Sequence, residues 1–198
     1  MASPGEGGAK PSRLLGRDDR PENFAQRPAF VWRRVPSPVI AAIHGVAYGG
    51  GFQIALGADI RIAAPDARMS ILEIKWGLIP DMSITQTLRD LVPLDVAKEL
   101  TFTGRILDGA AAQALGLVTH VSENPLDRAL ALAEEIASKS PDAIRRAKRL
   151  LDEAWHADAR TGLELESKLQ TELLGTPNQV EAIKANFEKR APDFDDPR

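Results

Sequence analysis

The stretch GVAYGGGFQIALGADIRIAA, residues 45–64, places three consecutive glycines between an apolar run and a short amphipathic segment. The apolar residues from Val39 onward predict a buried strand before the glycines, and residues 52–58 predict a short helix after them. A strand, a glycine turn and a helix start together direct unpaired N–H groups to one point. The stretch therefore predicts either an anion-binding turn or a tight turn that lets a helix pack closely on a strand.

The residues after the glycines exclude both familiar nucleotide-binding loops. A phosphate-binding loop needs Lys and then Ser or Thr at this point, and a dinucleotide fingerprint needs another glycine spacing with an acidic residue on the next strand. This chain has Phe52, Gln53 and Ile54 instead. The remaining anion-binding use is an oxyanion hole, in which N–H groups stabilise a carbonyl oxygen as it gains negative charge.

The rest of the chain predicts a layered α/β core followed by a helical region. Strands alternate with short helices up to about residue 124, and from Pro125 four helices follow almost without interruption. Residues 69–74 are predicted to be extended, and Asp108 and Ser140 are predicted helix caps. Residues 1–24 are rich in Gly, Pro, Ser and charge, which is typical of a flexible segment. We therefore predict a flexible segment over 1–24, an α/β core over 25–124 and a C-terminal helical region over 125–198, which packs as a lid or against another subunit.

Composition excludes several classes of function. The 25 Lys and Arg against 28 Asp and Glu give a net charge of -3 without a basic stripe, so nucleic acid is not an expected partner. The chain has no cysteine, which excludes disulfides and thiol catalysis, and His44, His120 and His156 are too far apart in sequence to predict a metal site. No apolar run reaches the length of about 20 residues that spans a bilayer. We expect a cytoplasmic protein without a membrane partner.

Two carboxylates follow the glycine stretch in MSILEIKWGLIPDM, residues 69–82. The apolar neighbours of Glu73 predict a partly desolvated carboxylate, which suits proton transfer. The alternatives are a Glu that points out of a strand edge and a Glu that pairs with Lys75. Asp81 follows Pro80, and this position also predicts the start of a helix, with Asp81 as its cap.

Three stretches in order resemble the crotonase superfamily of enoyl-CoA hydratases and isomerases: SPVIAAIHGVAYGGGFQIALGADIRIAAPDARMSILEIKWGLIPD, ELTFTGRILDGAAAQALGLVTHV and EAIKANFEKRAPDF. The resemblance covers nearly everything from Phe30 onward. It implies an α/β fold, the ClpP/crotonase-like spiral of ββα units with a C-terminal helical region, assembled as a homotrimer or a hexamer. It also implies an acyl-CoA thioester substrate, with coenzyme A present only as part of that substrate and no further cofactor.

The resemblance also implies site residues around the glycine turn. In the family, the thioester oxygen lies between two backbone N–H donors, and the second donor belongs to the middle glycine, here Gly50. Gly49, the glycine before it, is expected to contact the substrate. Glu73 matches a catalytic Glu of the family. Asp81 falls where dienoyl-CoA isomerases place an additional catalytic Asp.

Other residues are expected to contact the substrate. Trp76, beside the matching Glu, is a candidate wall of the acyl pocket, the alternative being an ordinary core residue. Phe187 and Lys189 match a segment of the last helix that contacts coenzyme A in the family.

Gln53 departs from the family pattern. Hydratases carry Glu at this position and dienoyl-CoA isomerases carry Asp. Gln cannot act as a general base, although it can hold a water molecule or a substrate oxygen. Hydration by two carboxylates is therefore less well supported than a double-bond shift, which needs one base that takes a proton from one carbon and returns it to another.

A second departure concerns the first residues of the chain. The family has a strand-rich stretch before the position of Phe30, and its final Ala–Gly segment supplies the first N–H donor. Residues 1–16 do not resemble that stretch. We expect either a truncated copy of an enzyme that isomerises or hydrates an enoyl-CoA, or a catalytically silent subunit or binding partner that has lost half of the oxyanion hole.

Overall fold

The computed structural model describes residues 14–197, which form two compact units. The first unit contains the described residues up to Arg34 together with Ala41–Pro125. The second contains Val35–Ile40 and the residues from Leu126 onward. The change from one unit to the other near residue 125 coincides with the predicted start of the helical region.

The first unit alternates short strands with short helices, as the sequence predicts. Its elements are α1 (Arg27–Phe30), a 3-10 turn (Val31–Arg34), β1 (Ile40–Ile43), β2 (Val46–Tyr48), α2 (Gly50–Leu56), β3 (Ile60–Ala63), β4 (Arg68–Ser70), a second 3-10 turn (Glu73–Trp76), α3 (Ile84–Thr87), a third 3-10 turn (Leu88–Asp90), α4 (Leu94–Thr103), α5 (Gly109–Ala114) and β5 (His120–Val121).

Two small sheets organise these elements. One has the strand order β1-β3-β5, and the other pairs β2 with β4. The β2–β4 and β3–β5 pairs are both parallel, so helices connect strands that run in the same direction. The apolar run from Val39 was expected to be one strand, and this prediction is wrong. Gly45 has φ +64°, a left-handed conformation that ends β1 and turns the chain into β2 of the other sheet.

The core of the first unit joins residues of its strands to residues of α2, α3, α4 and α5. Phe52 of α2 is completely buried and belongs to the same cluster as Met69, Ile71, Leu100 and Leu117. Burial of each such side chain stabilises the fold by about 1.5–3 kcal/mol. Because Phe52 follows directly after the three glycines, its burial fixes the glycine turn to the core.

The buried side chain of Arg61 fixes the other end of α2. Its guanidinium donates to the carbonyl oxygens of Leu117 at 2.7 Å, Ala58 at 2.6 Å and Leu56 at 3.4 Å. Burial lowers the pKa of Arg61 to about 10, and the nearby Asp59 carboxylate partly offsets this effect. Arg61 therefore satisfies carbonyl groups that the end of a helix leaves without partners.

The helix boundaries confirm most of the predicted caps but not all of them. Asp108 caps α5 by accepting from the N–H of Ala111 at 2.8 Å. Asp81 does not begin a helix: α3 starts at Ile84, and the residue before it, Ser83, has φ +66°. The predicted cap at Asp81 is therefore wrong, because the chain makes a left-handed turn after it before the helix can begin.

The segment before α1 is partly packed in the described part of the chain. Residues 1–13 of the flexible segment predicted over 1–24 lie outside the described residues. Within the rest, Glu22 and Asn23 are buried; Glu22 pairs with Arg34, and the Asn23 side chain donates to the Leu14 carbonyl oxygen at 2.6 Å. These contacts differ from the flexible segment expected there.

The second unit is helical. Its helices are α6 (Pro125–Ala137), α7 (Pro141–Ala154), α8 (Ala159–Leu173) and α9 (Pro177–Glu188). Ser140 caps α7 as predicted, by accepting from the N–H of Ala143 at 3.4 Å. The buried Asn178 joins α9 to α7 and to the last residues: its amide donates to Asp142 at 2.7 Å and accepts from the N–H of Asp195 at 2.8 Å. The predicted lid or interface role of this region stays a prediction.

Between residues 14 and 197, no helix combines the length and the apolar character that crossing a membrane requires.

Candidate active site

The glycine turn lies between β2 and α2. Gly49 has φ +52° and ψ -123°, a backbone conformation that is open to glycine but strained for other residues. Its N–H donates to the carbonyl oxygen of Ser70 on β4 at 2.9 Å, and its own carbonyl accepts from the N–H of Gln53 at 3.0 Å. The parallel pairing of β2 with β4 therefore sets where α2 begins, at Gly50.

The three glycines differ in the space that a side chain would find beside them. A Cβ at Gly49 would lie 3.1 Å from Oε1 of Glu73, and a Cβ at Gly50 would lie 2.8 Å from the sulfur of Met82. A Cβ at Gly51 would meet nothing within 4 Å. Close approach by other side chains thus explains Gly49 and Gly50, whereas Gly51 has open space beside it.

A pocket of about 260 Å³ opens at this turn, lined by Tyr48, Gly49, Gly50, Leu72, Glu73 and Trp76. Four of these residues were singled out from the sequence: Gly49, Gly50, Glu73 and Trp76. Gly50 is the first residue of α2, so its N–H cannot join the hydrogen-bond ladder of the helix. Trp76 is 71% exposed, so the alternative of an ordinary core residue is wrong.

Glu73 lies in a 3-10 turn, not in the extended segment that its sequence predicts. The turn ends at Gly77, whose φ of +69° closes it. Oε1 of Glu73 accepts from Nε2 of Gln53 at 2.6 Å, and Oε2 is buried without a hydrogen-bond partner in the described part of the chain. The Lys75 ammonium lies over the Trp76 ring at 5.4 Å from its centroid, and its pairing with Glu73 is not observed.

Gln53 is completely buried next to Glu73. Its Nε2 donates to Glu73, and its Oε1 accepts from the backbone N–H of Met82 at 2.9 Å. The side chain is therefore engaged at both ends by protein groups. It is not one of the residues that line the described pocket, so its predicted contact with substrate stays a prediction.

The remaining candidates are not among the residues that line the described pocket. Asp81 is exposed and does not line the described pocket, although it precedes Met82. Phe187 and Lys189 are exposed residues of the second unit, at the end of α9. The roles expected of these three residues stay predictions.

Sequence analysis missed three residues of this region: Tyr48, Leu72 and Met82. The first two are direct neighbours in sequence of Gly49 and Glu73, and this adjacency is a signal that could have identified them. Met82 is likewise a neighbour of the candidate Asp81, but no local signal indicates its contact with Gln53, which is 29 residues away in sequence.

Comparisons with known proteins identify the family of the chain. The family model described as enoyl-CoA hydratase/isomerase matches residues 26–197. The chain is 42% identical over 165 residues to enoyl-CoA hydratase domain-containing protein 2, mitochondrial, of Mus musculus, covering 80% of this chain and 56% of the relative. It is 39% identical over 166 residues to methylglutaconyl-CoA hydratase, mitochondrial, of Mus musculus, covering 81% of this chain and 53% of the relative.

Solved structures show the same fold. The crystal structure of an enoyl-CoA hydratase from Bacillus anthracis superposes with a TM-score of 0.81 at 36% identity, covering 84% of this chain and 65% of that one. An enoyl-CoA hydratase from Polaromonas sp. JS666 superposes with a TM-score of 0.80 at 31% identity, covering 84% of this chain and 66% of that one. The chain spans about half the length of the curated relatives described above. On the family match over residues 26–197 and on these superpositions, the chain belongs to the enoyl-CoA hydratase/isomerase family and has the crotonase fold.

Proposed function

We propose that this chain provides the proton-transfer site of an acyl-CoA enzyme, in which the N–H of Gly50 stabilises a thioester enolate and the carboxylate of Glu73 moves a proton. One observation carries the proposal: the close approach of the Glu73 carboxylate to the glycine turn. Oε1 of Glu73 lies 3.1 Å from the position that a Cβ on Gly49 would occupy. The approach brings a base and a helix-start N–H into one pocket. An enolate forms when a carbon next to a carbonyl loses a proton, and it needs both groups at once.

The reaction that fits best is a double-bond shift in an enoyl-CoA. The Glu73 carboxylate takes a proton from C2 of a 3-enoyl thioester, and the electron pair moves onto the thioester oxygen near the N–H of Gly50. The same carboxylate then returns the proton to C4, which leaves the double bond between C2 and C3. One proton leaves C2 and one is added at C4, so the reaction consumes no other reagent.

Hydration of a 2-enoyl-CoA is the second candidate reaction. It is favoured by the relatives described above, three of which are named as hydratases. Hydration needs water activated on one carbon and a proton delivered to the next, and paired carboxylates suit this task. Gln53 stands beside Glu73 as an amide, which can neither take nor give a proton in these steps. Isomerisation needs only Glu73 and is therefore our first proposal.

We further propose a homotrimer or hexamer as the functional assembly, with coenzyme A entering only as part of the substrate. A catalytically silent subunit is the alternative, motivated by the amide at Gln53. The expected cytoplasmic location stays a prediction, since several relatives are named as mitochondrial.

Separate incubations with a 3-enoyl-CoA and a 2-enoyl-CoA test this proposal, followed by the absorbance of the conjugated thioester. Isomerisation raises the absorbance with the first substrate, and hydration lowers it with the second. Glu73→Gln is the control for contaminating enzymes. If the wild-type chain leaves both substrates unchanged while it binds a saturated acyl-CoA, the silent-subunit alternative replaces the enzyme.

A further inference from the structure

The Gln53 side chain has the contacts of a positioning group. It is completely buried, and both ends of its amide bond to the protein. The backbone N–H of Met82 can only donate, so it must face the amide oxygen of Gln53. The amide NH2 group is then directed at Oε1 of Glu73, at 2.6 Å. The hydrogen-bonding chemistry therefore fixes the orientation of this amide.

The loop that carries the N–H of Met82 is itself held in place. Ser83, the next residue, has φ +66°, which is uncommon for a residue with a side chain. Its hydroxyl donates to the carbonyl oxygen of Gln26 at 3.0 Å, and its own carbonyl accepts from the N–H of Gln86 at 2.8 Å. Backbone strain of this kind persists only where surrounding contacts impose it.

The Glu73 carboxylate is held on one side. Oε1 is bonded to Gln53 and lies close to Gly49, whereas Oε2 is buried without a partner in the described part of the chain. A carboxylate with one oxygen bonded cannot rotate about its last bond without breaking that hydrogen bond. It therefore presents one fixed face to the pocket that it lines.

We propose that Gln53 is a positioning residue that locks the rotation of the Glu73 carboxylate, with the backbone N–H of Met82 setting the amide. This inference rests on the proposed function of Glu73 as the proton carrier. It explains why a buried amide next to the base is useful: a locked carboxylate returns the proton that it took before solvent exchanges it.

The kinetic test compares Gln53→Met with wild type, because Met has a similar size but cannot donate a hydrogen bond to Glu73. Gln113→Met is the matched control, since Gln113 is an exposed residue of α5 that does not line the pocket. Turnover of a 3-enoyl-CoA in D2O is analysed by mass spectrometry for the fraction of product that keeps the original proton. We expect Gln53→Met to lose most of this proton retention. We expect its kcat to fall about 10–100-fold below that of wild type, with KM within about twofold of the wild-type value.

A merely structural role for Gln53 would change the amount of active protein but not the retained fraction. Equal retention in wild type and Gln53→Met would therefore overturn the proposal, as would an equal loss in Gln113→Met.

A second measurement separates this inference from the proposed function. Hydrogen–deuterium exchange of the side-chain amides, followed by NMR, is expected to be at least about tenfold slower for Gln53 than for the exposed Gln113. If neither substrate is converted, the proposed function fails, and a protected Gln53 amide still supports the locking geometry. Exchange of Gln53 as fast as that of Gln113 overturns the locking geometry whatever the turnover.

Discussion

Gly50 allows a direct test of the proposed oxyanion donor, because its N–H can be deleted without deleting the helix that follows. Proline is well tolerated at the first position of a helix, where its missing N–H has no intrahelical partner to lose. Gly50 occupies that position in α2. Gly50→Pro therefore removes the donor, and Gly50→Ala keeps the donor while adding a similar Cβ.

The structure gives the steric effect of the Cβ that both variants add. In both variants the new Cβ would lie 2.8 Å from the sulfur of Met82, the end of a flexible side chain that must then shift. We expect this crowding to cost about 1 kcal/mol of stability in each variant. Loss of one oxyanion donor lowers kcat by about 10²–10³-fold, or about 2.7–4 kcal/mol of transition-state stabilisation.

The assay measures kcat for a 3-enoyl-CoA in the two variants and in Gly51→Ala, whose Cβ meets nothing within 4 Å. Gly50→Ala is expected to stay within about tenfold of wild type and Gly51→Ala within about twofold, whereas Gly50→Pro falls by the full 10²–10³-fold. Urea unfolding of each variant shows that the helix is intact. Equal activity of folded Gly50→Pro and Gly50→Ala would refute the assignment of the donor.

Three further predictions concern charged residues. Glu73→Gln keeps an acceptor for the Gln53 amide, so we expect a near wild-type unfolding midpoint but a fall in kcat of about 10²–10⁴-fold; a rate within tenfold of wild type would contradict the role of Glu73. Arg61→Met leaves buried carbonyl groups without donors and should lower the free energy of unfolding in urea by about 2–4 kcal/mol. An unchanged unfolding midpoint would show that the hydrogen bonds of Arg61 contribute nothing to stability. The hydrogen bond from Arg190 lowers the pKa of Glu181 to about 2 from an ordinary 4.5. The contribution of this ion pair to the stability of the fold is therefore complete above pH 4.5 and is lost as the pH falls towards 2. NMR of the C-terminal segment should follow that loss, and Glu181→Gln should remove its dependence on pH in this range.

Local chemistry explains what could be predicted from the sequence. At the caps Asp108 and Ser140, the side chain accepts from an N–H group only three residues further along the chain. The local sequence is therefore enough to predict them. The glycine turn and Glu73 were expected to lie close together, because both match site residues of the family that the chain resembles. In the structure, both line one pocket.

Contacts between distant residues explain what could not be predicted. The position of Glu73 in a 3-10 turn depends on Gly77, and the break between β1 and β2 depends on Gly45, each in a left-handed conformation. Glycine permits that conformation without requiring it, so the sequence alone does not reveal which glycines adopt it. The partners of Gln53 come from residues 20 and 29 positions away, and no local pattern indicates them.

The shortest strand of the first unit has a consequence for how the chain acquires its structure during synthesis. His120–Val121 completes the sheet by pairing with β3, and the carbonyl oxygen of Leu117, 56 residues after Arg61 in sequence, accepts the hydrogen bond from its guanidinium. Until residue 121 has left the ribosome, β3 has no β5 to pair with, and the Leu117 carbonyl oxygen cannot accept from Arg61. Burial of Arg61 before that point would leave its guanidinium without this acceptor. Closing so long a loop is slow compared with forming the helices within it. The first unit should therefore stay open to proteases during most of its translation and become resistant in a single late step.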